Sequence, residues 1–270
     1  MAFNLVNPTF PPEIEHIIFT AAVEHQDLSS FPINLILVAK RVYQWLTPII
    51  YRTISLHENH EYPNQWNPEK LAKYGNYVRN LFVWVPSSRF NKASPHLPLS
   101  LCPNVTNLLW WSPANEAEII AMSQLPLTRL SIDLNDIERA LNTTKEFYRV
   151  THLDSLGLFT EDLSILDRFT CLTHLSILGD GGFASISPIF ERVPKLQVLI
   201  YYNCKQGVTK AVVQDFRPES DDPRLVRMTC GVGGGFEDWF EDIIGGRGIW
   251  GLAEEAIEGR KKGEQDGSRT

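Results

Sequence analysis

The chain writes "LTRLSI" at residues 127–132 and "LTHLSI" at 172–177, and the rule behind both is an apolar residue at positions one, four and six. The same template fits "VRNLFV" from Val78, "VTNLLW" from Val105, "LDSLGL" from Leu153 and "LQVLIY" from Leu196, with a weaker copy, "PRLVRM", from Pro223. Start to start, the copies are spaced by 27, 22, 26, 19, 24 and 27 residues. Short leads such as "CPN", "LP", "FTC", "VPK" and "DDP" precede most of them. Proline cannot sit inside a central strand, so these leads mark where each strand begins. Helix-like stretches follow: "NEAEIIAMSQ", "NDIERALNTTKEFY", "EDLSILDRF", "SISPIFERV" and "VTKAVVQDF". Short strands separated by crossovers predict a parallel sheet, because parallel neighbours cannot be joined by a tight turn. One such unit cannot bury its apolar side alone, so the copies must stack.

The spacing and the hexapeptide resemble leucine-rich repeats, whose units run to roughly 20–29 residues. That signature continues to Asn or Cys at position nine, which is Asn135 in one copy, Cys204 in another and Asp180 as a near match. The expected fold is α/β: a short N-terminal helical segment, an irregular leucine-rich-repeat solenoid over 78–235 and a C-terminal helical cap over 236–262. A doubly wound α/β domain would also alternate strands and helices. The short unit and the recurrent phase favour the solenoid. Side chains alternate along a strand. With positions four and six inward, positions five and seven form an outward ladder of Phe82, Trp84, Leu109, Trp111, Gly157, Phe159, Ser176, Leu178, Ile200 and Tyr202. Of these, Phe82, Trp84, Leu109, Trp111, Phe159 and Tyr202 are the candidate protein-substrate residues, since exposed aromatic patches mark contact surfaces. The loop "SSRFNKASPHLP" or the C-terminal segment could instead cover the ladder.

Residues 1–55 follow a different rule, and 56–77 read as a connector. Pro12 suits a first helical turn. Ile14, Ile17, Ile18, Ala21 and Ala22 then recur at helical spacing, which predicts one apolar stripe. Leu35, Val38, Val42 and Trp45 mark a second helix. Thr47-Pro48 reads as an N-cap and first turn, so a short third helix is expected there. The stretch 10–54 resembles an F-box: a Pro before the first helix, "EIEHIIF" within it, the acidic-Leu pair Asp27-Leu28, and "LILVAKRVYQWL" where the family carries its Val-rich second half with a Trp. The family opens on Leu-Pro; this chain has Phe10-Pro11. The resemblance implies a substrate receptor of a Skp–cullin–F-box ubiquitin ligase, with a Skp-type adaptor on the helices and a protein substrate on the repeats. Pro11, Ile14, Ile17, Ile18 and Val38 are the expected adaptor contacts. The segment carries apolar residues on more than one side, and such a surface needs a partner. A plain helical cover for the first repeat is the alternative, and the whole would then be a repeat scaffold with no ligase role.

Composition narrows the rest. The net charge is −7 and the only basic cluster is "GRKKG", set among Glu254, Glu255 and Glu258. Nucleic acid and acidic membranes are not expected partners, because phosphate binding needs clustered cations. No apolar run approaches the roughly 18–20 residues of a membrane span. "MAFNLVNPTFPP" has no basic or apolar leader pattern, so no signal peptide is expected and the sequons at Asn104 and Asn142 carry no weight. Cys102, Cys171, Cys204 and Cys230 form no CxxC pair, which suits reduced thiols in a cytoplasmic or nuclear protein.

No motif points to an enzyme, a cofactor or a metal. In "HENHE", His57 and His60 are three apart, whereas the zinc protease motif needs His at i and i+4. "GVGGGF", Gly231 to Phe236, lacks the Lys-Ser/Thr of a phosphate loop and reads as a turn. Downstream, Phe236, Trp239 and Phe240, then Trp250, Ala253, Ala256 and Ile257, repeat at helical spacing. They predict a helical cover for the last repeat, followed by a disordered tail over 263–270.

Overall fold

A computed structural model of the chain describes residues 10–24, 33–57, 68–84, 99–140, 146–155, 163–178, 186–205, 211–213, 222–231, 235–243 and 248–267. Within them, β1 (Thr53–His57), β2 (Asn80–Trp84), β3 (Asn107–Trp110), β4 (Arg129–Ile132), β5 (His152–Ser155), β6 (His174–Leu178), β7 (Val198–Lys205), β8 (Val212–Val213) and β9 (Leu225–Gly231) form one sheet. The strand order is β1-β2-β3-β4-β5-β6-β7-β9-β8. Every neighbouring pair is parallel except β8 with β9. The chain is therefore α/β, with a mostly parallel sheet whose strands follow chain order from β1 to β7.

Register explains the repeat. Ile54, Leu81, Leu108, Leu130, Leu153, Leu175, Leu199 and Leu225 stand side by side across the sheet, each at most 1 % exposed. Parallel strands lie about 4.8 Å apart, so position four becomes a continuous leucine ladder. The helices α4 (Pro68–Tyr74), α5 (Glu116–Ser123), α6 (Leu134–Arg139) and α7 (Ser187–Arg192), with 3-10 turns at Leu99–Leu101 and Leu163–Arg168, cover this face. Their Leu71, Leu99, Ile119, Met122, Ile137, Ile165 and Ile189 join the ladder in one core. A doubly wound sheet would place crossovers on both faces; these share one.

Two copies sit out of the expected phase. Leu153 pairs with Leu130, so the true copy is "VTHLDS" from Val150 rather than "LDSLGL" from Leu153. Leu225 pairs with Leu199, so the last copy begins one residue before Pro223, and Val226 and Met228 turn to the opposite face. A one-residue slip inverts every side chain in a strand. The missed signal is Thr at position two. Thr128 Oγ1 donates to the Thr106 carbonyl, Thr151 Oγ1 to the Thr128 carbonyl and Thr173 Oγ1 to the Thr151 carbonyl, each at 3.2 Å. An unexpected first copy, "YRTISL" from Tyr51, supplies β1, so the sheet begins ahead of Val78, inside the expected helical segment and connector.

The crossovers also depart in detail. "EDLSILDRF" forms a 3-10 turn, not an α-helix. In "VTKAVVQDF", Val212 and Val213 pair as a strand with Thr229 and Met228, as β-branched residues favour.

The N-terminal part forms α1 (Pro12–Glu24), α2 (Ile33–Ile36) and α3 (Lys40–Ile50). The expected second helix breaks before α3, where Ala39 is extended at φ −158° and ψ 152°. No third helix starts at Thr47-Pro48, because α3 runs through it. Thr47 Oγ1 donates to the Tyr43 carbonyl at 2.6 Å, so the hydroxyl bonds back into the helix instead of capping a new one.

The C-terminal part forms α8 (Gly235–Ile243) and α9 (Ile249–Gly267). Rather than covering only the last repeat, they lie on the outward strand face, α8 against β2 and β3 and α9 against β7 and β9. The helix continues to Gly267, into the stretch expected to be disordered; 268–270 lie outside the described residues.

Candidate functional site

Two surfaces hold the residues singled out in the sequence. The first is the N-terminal helices. α1 meets α3 through Phe19 and Val23, which pack on Val42, Leu46 and Ile50. Glu15 accepts from Arg41 Nε at 2.8 Å, and the His16 ring lies 5.1 Å from Trp45. These contacts fix the rotation of α1 and turn its isoleucine stripe outward. Ile14 is 43 % exposed, Ile17 63 % and Ile18 49 %. At the break ahead of α3, Leu37 is 75 % and Val38 62 % exposed. Pro11 is exposed as well. All five expected adaptor contacts are therefore at the surface. Phe10 and Leu37 are exposed too, and periodicity did not select them. The N-terminal helices are tied to α4 by tyrosines: the Tyr51 and Tyr74 rings stack at 3.8 Å, and the Tyr43 and Tyr74 hydroxyls are 3.2 Å apart.

The second surface is the outward strand face, and here the expectation of an open ladder is corrected. Phe82 and Leu109 are buried with Trp239 of α8. Tyr202 is buried with Ile200, Val226 and Met228 beneath Ile249, Trp250, Ala253 and Ile257. Trp84 and Trp111 are half-buried. Phe159, with Gly157, lies outside the described residues, and the corrected register puts Asp154 at position five in its repeat. The physical reason is plain: an aromatic strand face is unstable in water, and the amphipathic C-terminal helices of the same chain cover it.

Beneath that cover runs a polar seam. Trp111 Nε1 donates to Ser131 Oγ at 2.8 Å, Ser131 Oγ to Asp154 Oδ2 at 2.7 Å, and Ser176 Oγ to Asp154 Oδ1 at 2.8 Å. Burial pushes the Asp154 carboxyl above the usual carboxylate range, while the two serine hydroxyls pull it back. Beside it the His152 and His174 rings stack at 4.1 Å, each edge-on to Trp250 at 5.3 and 5.7 Å. His174 Nε2 is 3.1 Å from Glu254 Oε1. Burial, then the neighbouring His174 and Arg129, pulls His152 down to about 3. Burial also lowers His174, with Glu254 opposing it. Asp242 is pushed up to about 7 by burial, although Arg129 and the Trp250 amide act the other way. The signal for His152 and Asp154 was present in the sequence: "VTHLDS" repeats the Thr-His-Leu of "LTHLSI".

Trp250 packs on both histidine rings and Glu254 meets His174, so the histidines serve the docking of α9. Among the described residues no cluster of His, Cys, Asp and Glu has the arrangement of a metal site. His57 closes β1, and 58–60 lie outside the described residues. No helix among them is long and apolar enough to cross a membrane. Neither a family model nor a curated protein matches the chain.

Proposed function

We propose that the chain is a non-enzymatic substrate-recognition subunit of a Skp–cullin–F-box type ubiquitin ligase, acting in the cytoplasm or nucleus. In this reading the sheet is an irregular leucine-rich-repeat solenoid, and α1 with the corner before α3 docks the Skp-type adaptor. The observation that carries it is the outward isoleucine face of α1. A helix normally turns its apolar stripe to the core. Here Phe19 and Val23 face the core while Ile14, Ile17 and Ile18 face solvent. An exposed apolar surface of that kind marks a partner, and the F-box resemblance names one. Of the six expected substrate residues, Trp84 and Trp111 are half-buried, on β2 and just past β3, and pack against the cluster that α8 covers.

The test is capture of a purified Skp-type adaptor by the tagged chain, compared with Ile17→Asp and Val38→Asp. Both side chains are exposed, so the variants should melt like wild type yet retain less than a tenth of the adaptor. A folded wild-type chain that captures no adaptor removes the ligase reading and leaves a repeat scaffold.

A further inference from the structure

We infer that Cys204 and Cys230 form a redox site: a dithiol that a hydroperoxide converts to an intrachain disulfide between β7 and β9. The two are 26 residues apart in the chain, and no sequence motif marks them as a pair. Register does. Along β7 and β9 the partners run Tyr202 with Met228, Asn203 with Thr229, Cys204 with Cys230 and Lys205 with Gly231. The corrected phase explains the pairing. With the last copy starting at Asp222, both cysteines fall at position nine of their repeats, and equal positions of stacked repeats become neighbours.

In-register residues of neighbouring parallel strands share one face of the sheet, with about 4.8 Å between the strands. A disulfide spans Cα separations of roughly 4.4–6.8 Å, so the β7–β9 pairing admits the bond without moving the backbone. The other two cysteines have no such neighbour. Cys102 is fully buried ahead of β3, and burial pushes its thiol up to about 11, which withholds the thiolate that reacts. Cys171 is exposed, but it precedes β6, three strands from β3, and three spacings amount to roughly 14 Å, beyond the reach of a disulfide. Cys171 also lies ahead of the start of β6, whereas Cys204 and Cys230 stand at the far ends of β7 and β9. The chemistry balances with a hydroperoxide as the one co-reactant. One cysteine thiolate attacks the O–O bond, which breaks; its sulfur becomes a sulfenic acid, and an alcohol leaves, or water when the reagent is hydrogen peroxide. The second thiol attacks that sulfur, the S–O bond breaks, and water leaves with the thiol proton as the S–S bond forms. Two electrons pass from the two sulfurs to the peroxide oxygens. In a reducing compartment such a bond is transient and reports the redox state. The site shares no residue with the α1 surface, so its test stands whatever the adaptor experiment gives.

The probe is hydrogen peroxide, added to the folded, fully reduced chain, followed by iodoacetamide and digestion without reductant. Trypsin cuts after Lys195, Lys205, Arg227 and Arg247, which leaves Cys204 and Cys230 in separate peptides with one cysteine each. Mass spectrometry should find these two peptides joined, two hydrogens lighter than their sum, and separated again by dithiothreitol. A mixture of light and isotopically heavy chains should give no hybrid pair, and Cys171→Ser should leave the yield unchanged. A chain unfolded in guanidinium before the peroxide should give several-fold less of this pair, with links to Cys171 alongside it. The main readout is made on wild type and does not depend on a variant folding. Cys204 and Cys230 recovered unlinked, links from either to Cys171 in the folded chain, a pair joined only between chains, or equal yields from folded and unfolded protein would each overturn the proposal.

Discussion

Asp242 and the His152–His174 pair belong to the same buried surface and titrate in opposite senses. Asp242 sits at about 7 in the fold, against about 3.9 for an ordinary aspartate. The folded chain thus keeps a proton that the unfolded chain releases. Stability from this group is full below pH about 4, falls as the pH climbs to about 7, and is then constant. Asp242→Asn should raise the melting temperature at pH 8 and leave it unchanged at pH 4; the gain corresponds to about 2–4 kcal/mol at one pKa unit per 1.36 kcal/mol. His152 sits at about 3, below the ordinary value of about 6.5. The folded chain refuses a proton that the unfolded chain accepts, so stability is full above pH about 6.5 and falls as the pH drops towards 3. Between about pH 4 and 6.5 the two slopes oppose each other, with the lowered His174 adding to the His152 side and the raised Asp154 to the Asp242 side. His152→Phe keeps a ring against His174 and Trp250 but removes the charge. Melts from pH 8 to 4.5 should show that variant losing about 1–2 kcal/mol less than wild type on acidification.

Individual elements owe their ends to local chemistry that the sequence spells out in some places and hides in others. Asn115 caps α5: its side chain accepts from the Glu118 amide at 3.0 Å, and Glu118 returns a bond to the Asn115 amide at 2.9 Å. Asn115→Ala should cost about 1 kcal/mol in chemical denaturation. The continuity of α3 was not legible, because Thr-Pro is a common helix start; it becomes one only if the hydroxyl points forward. In the fold Thr47 points back to Tyr43, and Pro48 sits inside the helix with no amide to donate. Pro48→Ala should restore that bond and stabilise the chain by about 1–3 kcal/mol. A lower melting point for this variant would show that Pro48 fixes the break beyond α3 instead. The outward turn of α1 was equally hidden. Periodicity located its isoleucine stripe, but the rotation depended on Phe19, Val23 and the Arg41–Glu15 pair reaching α3.

The molecule as a whole is a one-sided repeat made stable by its own C-terminus. The crossover helices bury one face of the sheet, and α8 and α9 bury the other. Removing residues 236–262 would uncover Phe82, Leu109, Ile200, Tyr202, Val226 and Met228 together. Trp239, Ile249, Trp250 and Ile257 would be lost with them, at roughly 1.5–3 kcal/mol for each large side chain. Against a total of about 5–15 kcal/mol, the truncated chain should lose cooperative thermal unfolding. A truncated chain that melts at the wild-type temperature would show that these helices do not hold the fold.

The sequence by itself determined the parallel α/β sheet, because position four of each hexapeptide recurs at an interval that only stacked strands can use, and Leu81, Leu108, Leu130, Leu175 and Leu199 were in phase from the start. It also marked the isoleucine face of α1 and the amphipathic C-terminal helices, since periodicity is a local property. What covers the outward strand face was decided only by tertiary structure. Phe82 meets Trp239, Arg129 reaches Asp242 and His174 meets Glu254 across separations of 113 and 80 residues for the last two pairs. Such contacts leave no periodic trace, and whether an apolar face meets solvent or its own chain depends on where a distant helix comes to rest.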